Sequence, residues 1–255
     1  MINEIQVKRA IKAGNSSAVI LPRAWLNREV RIELIKKTPE TILLEVIGIL
    51  KEHIELKKVV GIYLVGSYAR NEEDANSDID ILVVSDNIDR ESIRDGIYNI
   101  LIVSKELIKQ KMETDLFPIG QMIKEALPLM NADYLKKLEV KITKKNIKWY
   151  LDTTKEKIKL IDKNLKKEKI NNRVIYTLIL RIRTLYIIGK LIENKSYSKK
   201  EFVKMITKIS GNKTAYVSYV LVKDNREEAG ETKKEEAERL LNYLRKQLED
   251  VKKRI

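Results

Sequence analysis

The apolar run Val59–Val65 constrains the fold of this chain more than any other feature. It carries no charged residue, has the length of a strand, and ends at Gly66 and Ser67. A strand without polar alternation is buried on both faces, so it needs a sheet that is covered on both sides. A second run, Ile79–Val84, is interrupted only by Asp80 and predicts a neighbouring strand.

The residues at the ends of these two runs suit phosphate and metal chemistry. Gly66 lets a polyanion approach the backbone, and Ser67, at the start of a helix, offers a hydroxyl and free N–H groups. Asp78 and Asp80 are two residues apart on the predicted strand, so both side chains are expected on one face. Neighbouring carboxylates repel each other unless a cation lies between them, and hard oxygen ligands suit Mg²⁺. The pattern predicts phosphate donors opposite metal ligands, which serves nucleotidyl transfer.

The combination of Gly66-Ser67-Tyr68-Ala69-Arg70 with Ser77-Asp78-Ile79-Asp80 resembles the motif of the minimal nucleotidyltransferases of the DNA polymerase β superfamily. The resemblance implies ATP or another NTP as donor, Mg²⁺ or Mn²⁺ as cofactor, and Asp78 and Asp80 as catalytic metal ligands. It also implies four nucleotide-binding residues: Gly66, Ser67, Arg70 and Ser77. For Arg70 the alternative is an ion pair with the acidic residues at 72–74.

Two residues depart from the pattern of that family. Asn71 stands where glycine is usual, which is a mild change because Asn tolerates the left-handed region. Asn99 takes the register position of the third carboxylate, and an amide neither accepts a proton nor ligates metal as strongly. Either Asp95 or Asp115 substitutes for this carboxylate, or two carboxylates suffice. Otherwise the domain binds nucleotide with little catalysis.

The N-terminal segment, residues 1–47, reads as a small β module. A turn at Ala13–Ser17 precedes a short strand at Ala18–Leu21. Two further strand-like runs follow at Val30–Ile35 and Thr41–Ile47, with a turn between them at Thr38-Pro39-Glu40. Such a segment is too short to bury a good core alone. Pairing with a second copy would supply that core.

The run from Lys12 through Gly14-Asn15-Ser16 to Pro22-Arg23 resembles the AbrB/SpoVT family of swapped-hairpin DNA-binding domains. The resemblance implies an intertwined homodimer that places basic residues on DNA. By position, the contacts are Lys8, Arg9, Lys12 and Arg23. The alternative is a dimerisation module without a role on DNA.

The C-terminal segment has helical spacing throughout and predicts an antiparallel bundle. The bundle resembles HEPN or nucleotidyltransferase substrate-binding helical domains. Residues 136–255 hold 33 basic and 16 acidic groups, a net charge of +17, whereas residues 48–135 are at −6 and residues 1–47 at +3. The basic block indicates either a surface for a polyanion such as RNA or a solvated lysine-rich exterior. Arg181 and Arg183 lie inside one predicted helix. They face the nucleotide cleft or an RNA, or alternatively they form ion pairs with another helix or extend to the surface.

Composition excludes several classes of protein. The chain has no cysteine and one histidine, His53, so disulfides, zinc–thiolate sites and a Ser-His-Asp triad are disfavoured. The single histidine also disfavours a HEPN-type ribonuclease. No apolar run reaches the roughly 18 residues that cross a bilayer, and no signal-type segment is present, so we expect a cytoplasmic protein without a membrane partner. Abundant Lys, Glu and Ile fit a thermophile.

The sequence therefore predicts an α+β multidomain protein. Its expected parts are a swapped-hairpin domain (1–47), a mixed-sheet nucleotidyltransferase domain (48–138) and an all-α helical bundle (139–255). The leading hypothesis is Mg²⁺-dependent transfer of a nucleotide, most simply AMP from ATP, to a hydroxyl on a protein, an RNA or a small molecule. The alternative is an antitoxin-like DNA-binding regulator in which the nucleotidyltransferase domain binds nucleotide with little catalysis.

Overall fold

The structure, a computed structural model, describes residues 5–8, 10–33, 37–74, 77–166, 171–224 and 232–255. The chain divides into two compact units, Met1–Lys37 and Thr38–Ile255. The first unit corresponds to most of the expected N-terminal module, and the second holds the sheet and the bundle.

The first unit is built on a small antiparallel hairpin. Strands β1 (Ile11–Ala13) and β2 (Ser16–Ala18) pair with Lys12 opposite Ser17, and Gly14 makes the turn at a φ of 61°. A 3₁₀ turn follows at Arg23–Trp25. Strand β2 ends where the predicted strand Ala18–Leu21 begins. Residues 30–33, the described part of the run expected as a strand at Val30–Ile35, form no strand.

Helix α1 (Pro39–His53) replaces the strand that was predicted at Thr41–Ile47, so that prediction was wrong. The Thr38-Pro39 pair, interpreted as a turn, begins a helix instead. Thr38 is the N-cap and its hydroxyl accepts the Thr41 N–H at 3.3 Å, while Pro39 takes the first helical position. The buried side chains lie four residues apart along one helix face: Ile42, Val46 and Leu50.

A mixed sheet forms the centre of the second unit, with five strands among the described residues in the order β5-β6-β4-β3-β7. The strands are β3 (Val59–Val65), β4 (Ile79–Ser85), β5 (Arg90–Asp95), β6 (Tyr98–Ser104) and β7 (Leu127–Met130). Strand β4 runs parallel to β6, and the other neighbours are antiparallel. The two apolar runs that the sequence predicted as strands, β3 and β4, are adjacent.

Strand β3 is buried on both faces, as its composition requires. On one face Ile62 and Leu64 pack in the same cluster as α1. On the other face Tyr63 and Val65 pack with Ile108 and other residues of three helices. These helices are α3 (Lys105–Thr114), α4 (Ile119–Glu125) and α5 (Ala132–Lys137), and the four-residue α2 (Gly66–Ala69) directly follows β3.

The C-terminal helices form the predicted bundle around its own core. They are α6 (Lys144–Leu165), α7 (Asn172–Ile192), α8 (Lys199–Ser210), α9 (Thr214–Lys223) and α10 (Lys234–Lys253). Helix α7 contributes the largest share of buried side chains to this core, and Leu116 from the sheet domain packs into it. The described helices include none that is both long and apolar enough to span a membrane.

Candidate active site

The turn between β3 and α2, the Gly66 corner, lies next to an acidic side chain of the neighbouring strand β4. Val65, the last residue of β3, pairs with Asp80 of β4. Gly66 follows with a φ of +72°, and a Cβ at this position would lie 2.3 Å from Asp80 Oδ2. Both the backbone conformation and the space therefore require glycine here.

Asp80 and Asn99 lie side by side on parallel strands. They are register partners in the β4–β6 pair, as predicted, and Asn99 Nδ2 donates to Asp80 Oδ1 at 3.0 Å. Burial raises the pKa of Asp80, the hydrogen bond from Asn99 lowers it, and the charge of Asp78 raises it. Asp78 is exposed and lies one residue before the strand begins at Ile79.

These residues fit one hard divalent cation. Burial and a like charge both disfavour ionisation of Asp80, and a bound cation would reverse that effect. Asn99 adds a neutral neighbour in place of a third negative charge. Within the described ranges, no group of three or more His, Cys, Asp or Glu side chains is arranged to hold a metal ion. Asp78 and Asp80 would therefore need oxygen ligands from the substrate or from water to complete a coordination shell.

Neither proposed substitute for the third carboxylate joins this pair. Asp115 is engaged elsewhere, because its carboxylate accepts the Lys111 ammonium at 2.7 Å and the Tyr150 hydroxyl at 2.6 Å. Asp95 ends strand β5, where it is exposed and pairs with Tyr98.

Glu125 is the main residue of this corner that sequence reasoning missed. It ends α4, its side chain is only 5% exposed, and its two oxygens hold two parts of the motif. Oε1 accepts the Gly66 N–H at 3.0 Å, and Oε2 accepts Arg70 Nη1 at 2.6 Å. Burial raises the pKa of Glu125, and the charge of Arg70 opposes that rise. Its only sequence signal was an acidic residue at the end of a largely apolar helix.

Arg70 forms the ion pair that was the alternative to a phosphate contact. Its Nε donates to Glu72 Oε2 at 3.0 Å, in addition to the bond to Glu125. Its guanidinium also lies 5.2 Å from the centre of the Tyr197 ring. Arg70 thereby links the corner to two other elements of the unit.

Glu72 joins the motif to the N-terminus of α8. Its carboxylate accepts hydrogen bonds from the Ser198 hydroxyl at 2.8 Å, the Lys199 N–H at 2.9 Å and the Lys200 N–H at 3.3 Å. Burial alone would raise the pKa of Glu72, but these bonds and Arg70 together lower it. The helical bundle is thus hydrogen-bonded directly to the loop that follows Arg70.

The two predicted serines have different surroundings. Ser67 is the second residue of α2, and its carbonyl accepts the N–H groups of Arg70 and Glu72, at 3.2 and 2.9 Å. Ser77 is tied into its own loop, where its hydroxyl accepts the Asp74 N–H at 2.9 Å. Both residues are half-buried.

The arginines of α7 are held by polar and aromatic groups. Arg183 lies 5.0 Å from the centre of the Tyr197 ring, and its Nε is 3.4 Å from the Tyr197 hydroxyl. Arg181 donates to the Thr153 hydroxyl at 3.0 Å and lies 5.9 Å from the Trp149 ring centre. Among the residues that the structure describes, the contacts of both arginines are to hydroxyl groups and aromatic rings rather than to carboxylates.

The predicted DNA contacts are in the first unit. Lys8, Lys12 and Arg23 are exposed there, with Lys12 on strand β1. Arg9 lies outside the described residues. Contact of these residues with DNA therefore stays a prediction.

Comparison with known proteins identifies the family. The family model described as "Nucleotidyltransferase domain" matches residues 45–209, which is more than half of the chain. Among solved structures, a nucleotidyltransferase-like protein from Exiguobacterium sibiricum 255-15 is similar at 12% identity and a TM-score of 0.37, over 82% of this chain and 75% of that one. No curated protein matches. On the strength of the family match, which includes the Gly-Ser corner and both aspartates, this chain belongs to the nucleotidyltransferase domain family.

Proposed function

We propose that the chain transfers a nucleotide, AMP from ATP in the simplest case, to a hydroxyl acceptor in a Mg²⁺-dependent reaction that releases pyrophosphate. The acceptor oxygen bonds to the α-phosphorus, the bond from the α-phosphorus to the oxygen that bridges the α- and β-phosphates breaks, and the hydroxyl proton passes to water. The single observation that carries the proposal is the close approach of the Asp80 carboxylate to Gly66, which leaves no room for a Cβ at residue 66. It brings a corner suited to phosphate next to an acidic side chain suited to a divalent ion, in a chain whose family performs nucleotide transfer.

The residues of this chain have separable roles in that reaction. Asp80 and Asp78 would hold the cation, which when bound supplies positive charge to the phosphates and to the acceptor hydroxyl. Ser67, near the start of α2, would bind phosphate oxygens. Glu125 keeps the Gly66 peptide and Arg70 in place. Asn99 orients the Asp80 carboxylate through its hydrogen bond.

The direct test is label transfer from ATP that carries the label on its α-phosphate. The purified full-length chain is incubated with labelled ATP, Mg²⁺ and cellular RNA or protein, and products are separated by size. We expect labelled product with the wild type and with Asp133→Asn, a control in which an 85% exposed carboxylate is removed. Asp78→Asn and Asp80→Asn should not label. Equal labelling by all four proteins would refute the assignment.

A second function is favoured by Asn99. With an amide beside Asp80, the site lacks the group that would take the proton from an acceptor hydroxyl. The domain would then bind nucleotide and regulate the DNA-binding or dimerising activity of the N-terminal unit, as an antitoxin-like regulator does.

Asn99→Asp separates the two functions. If the chain is an enzyme that lacks only a base, the added carboxylate should raise label transfer, by about tenfold or more. If it is a regulator, Asn99→Asp should leave transfer absent while ATP still changes the affinity of the wild type for DNA. The matched control is Asn99→Ser, which removes the amide without adding a charge and should not raise transfer.

A further inference from the structure

A row of lysines follows the exposed side of α8, beside the loop that carries Glu72. Lys200, Lys204 and Lys208 are exposed and recur every fourth residue, so their Cα atoms are about 6 Å apart along the helix axis. We define these three residues as the α8 lysine row. None of them has an ion-pair partner among the described residues.

The positive charge of this row is not neutralised by the helix itself. Glu201, the sole acidic residue of α8, is turned toward α7, where it accepts the Lys190 ammonium at 2.6 Å and the Tyr186 hydroxyl at 3.0 Å. Among the described residues, Lys199 forms an ion pair with Asp74 at 3.5 Å, and the backbone N–H of Lys200 donates to Glu72. The side chains of the row are exposed and have no ion-pair partner in the part of the chain that the structure describes.

The lysine row lines a groove whose wall also includes Glu72, which follows Arg70 in the motif loop. The groove has a volume of about 790 Å³, and its walls include the row, Lys213, Glu72 and Asp74. Glu72 accepts the backbone N–H groups at the start of α8 and also holds Arg70 of the motif. A strand bound along the row would thus end beside the loop that follows the Gly66 corner.

We infer that the α8 lysine row binds the phosphodiester backbone of a single-stranded nucleic acid, whose end is the acceptor for the proposed transfer. The role of the strand's end as acceptor rests on the proposed function, whereas the binding of the strand does not. A regular series of point charges matches a backbone that carries one charge per nucleotide. Lysine supplies such point charges without the planar geometry that arginine uses to recognise individual groups.

The chain offers a matched control on α6. Lys155, Lys159 and Lys163 are also exposed and also recur every fourth residue, but acidic residues are interleaved with them at Glu156 and Asp162. These α6 lysines do not line the groove beside α8. Replacing either set by glutamate changes the net charge by the same amount, so a difference between the two variants reports position rather than total charge.

The experiment measures fluorescence anisotropy of a labelled single-stranded RNA with the full-length chain, over a range of salt concentrations. We expect Lys200→Glu/Lys204→Glu/Lys208→Glu to weaken binding at least tenfold and to reduce the slope of log affinity against log salt by about 2. The α6 triple variant should weaken binding less than threefold. The corresponding Lys→Gln variant of α8 repeats the test with a smaller change in charge, and circular dichroism checks that each variant is folded.

Three results would overturn the inference. They are equal weakening by the α8 and α6 variants, no binding by the wild type at low salt, and displacement of the RNA by polyglutamate at the same concentration of charge, which would indicate an acidic protein partner. Absence of label transfer by the wild type, together with RNA binding that depends on the α8 lysine row, would refute the proposed function alone. Label transfer by the wild type, together with equal RNA binding by the α8 and α6 variants, would refute this inference alone.

Discussion

At Gly66 of the candidate active site, any side chain would overlap the Asp80 carboxylate. A Cβ there would overlap Asp80 Oδ2, and the φ of +72° disfavours any L side chain. The same position donates its N–H to Glu125. One residue type thus satisfies a backbone conformation, a close approach and a hydrogen bond at once.

Gly66→Ala should lower the free energy of unfolding by about 1–3 kcal/mol and abolish label transfer, because the new methyl group must displace Asp80. The control is Gly48→Ala in the exposed interior of α1, where a Cβ meets nothing within 4 Å. That change should stabilise the chain by up to about 1 kcal/mol, since alanine is the better helix former. Urea unfolding measures both, and equal effects at the two positions would contradict this account.

Asp80→Asn should separate activity from stability. Label transfer should fall by about 100-fold or more, as expected for loss of a metal ligand. Stability at neutral pH without metal should not fall, because burial raises the pKa of Asp80 and makes its charged form costly in the folded state. Between the pKa of Asp80 in the unfolded chain and its higher pKa in the folded chain, the folded state binds one more proton than the unfolded state. The wild type therefore loses stability as pH rises through this interval, whereas Asp80→Asn does not.

Mg²⁺ provides the complementary measurement on Asp80. Added Mg²⁺ should raise the melting temperature of the wild type, because a ligand that binds only the folded state stabilises it. The same additions should leave Asp80→Asn unchanged. An equal rise in both proteins would show that the ion binds elsewhere.

At the scale of elements, the contact between the motif loop and α8 depends on one carboxylate. Glu72 is 6% exposed and accepts three hydrogen bonds from the start of the helix in addition to the ion pair with Arg70. Charged acceptors at a helix N-terminus also interact favourably with the helix dipole. The loop and the bundle are therefore joined by hydrogen bonds to a charged group.

Glu72→Gln should lower the free energy of unfolding by about 1–3 kcal/mol at neutral pH. Because the folded pKa of Glu72 is lowered, its contribution is complete above the ordinary pKa of a glutamate, about 4.3, and is lost as pH falls through the folded value. The difference between wild type and variant should therefore shrink in acid. Glu55→Gln, which removes an exposed partner of Lys57, should show a much smaller difference, because solvent screens exposed ion pairs.

The elements that sequence reasoning predicted are those whose signals are local and strong. Strand β3 and helix α7 are long apolar segments, and the Asp80–Asn99 register followed from counting along two adjacent runs. Strand β5 was missed because its residues, RESIRD, are mostly charged, as suits a strand at the edge of a sheet.

The remaining errors arose where one signal has two meanings. In the sequence, Pro128 follows a helical run at Gln121–Leu127 and predicts the end of that helix. In the structure it lies within β7, an edge strand that tolerates a missing N–H. Thr38-Pro39 begins α1 rather than a turn. Glu125 carried no motif, because its role depends on the fold bringing α4 to the Gly66 corner.

At the scale of the whole molecule, the first unit leaves its apolar residues in water. None of its described residues is buried, and its large exposed apolar side chains are Ile5, Val7, Ile11, Ile20, Leu26, Val30 and Ile32. Ile5 is 86% exposed and Leu26 is 73% exposed. Such a surface is typical of a segment that completes its core with a second copy.

The full-length chain should therefore be a dimer in analytical ultracentrifugation, and Leu26→Glu/Ile32→Glu should make it a monomer. The circular dichroism of the second unit should not change, because both residues belong to the first. The control is Leu44→Glu, which introduces the same charge at a 71% exposed position on α1 and should remain dimeric. A monomeric wild type would refute the pairing.

The carboxylate of Glu125 has a consequence for how a substrate is received. The carboxylate accepts hydrogen bonds from the Gly66 N–H and from Arg70, so both groups are held in position before any anion binds. A receptor that is preorganised in this way loses little conformational freedom on association. Calorimetry of nucleotide binding should then show only a small unfavourable entropy of binding, and Glu125→Ala should make that entropy more unfavourable.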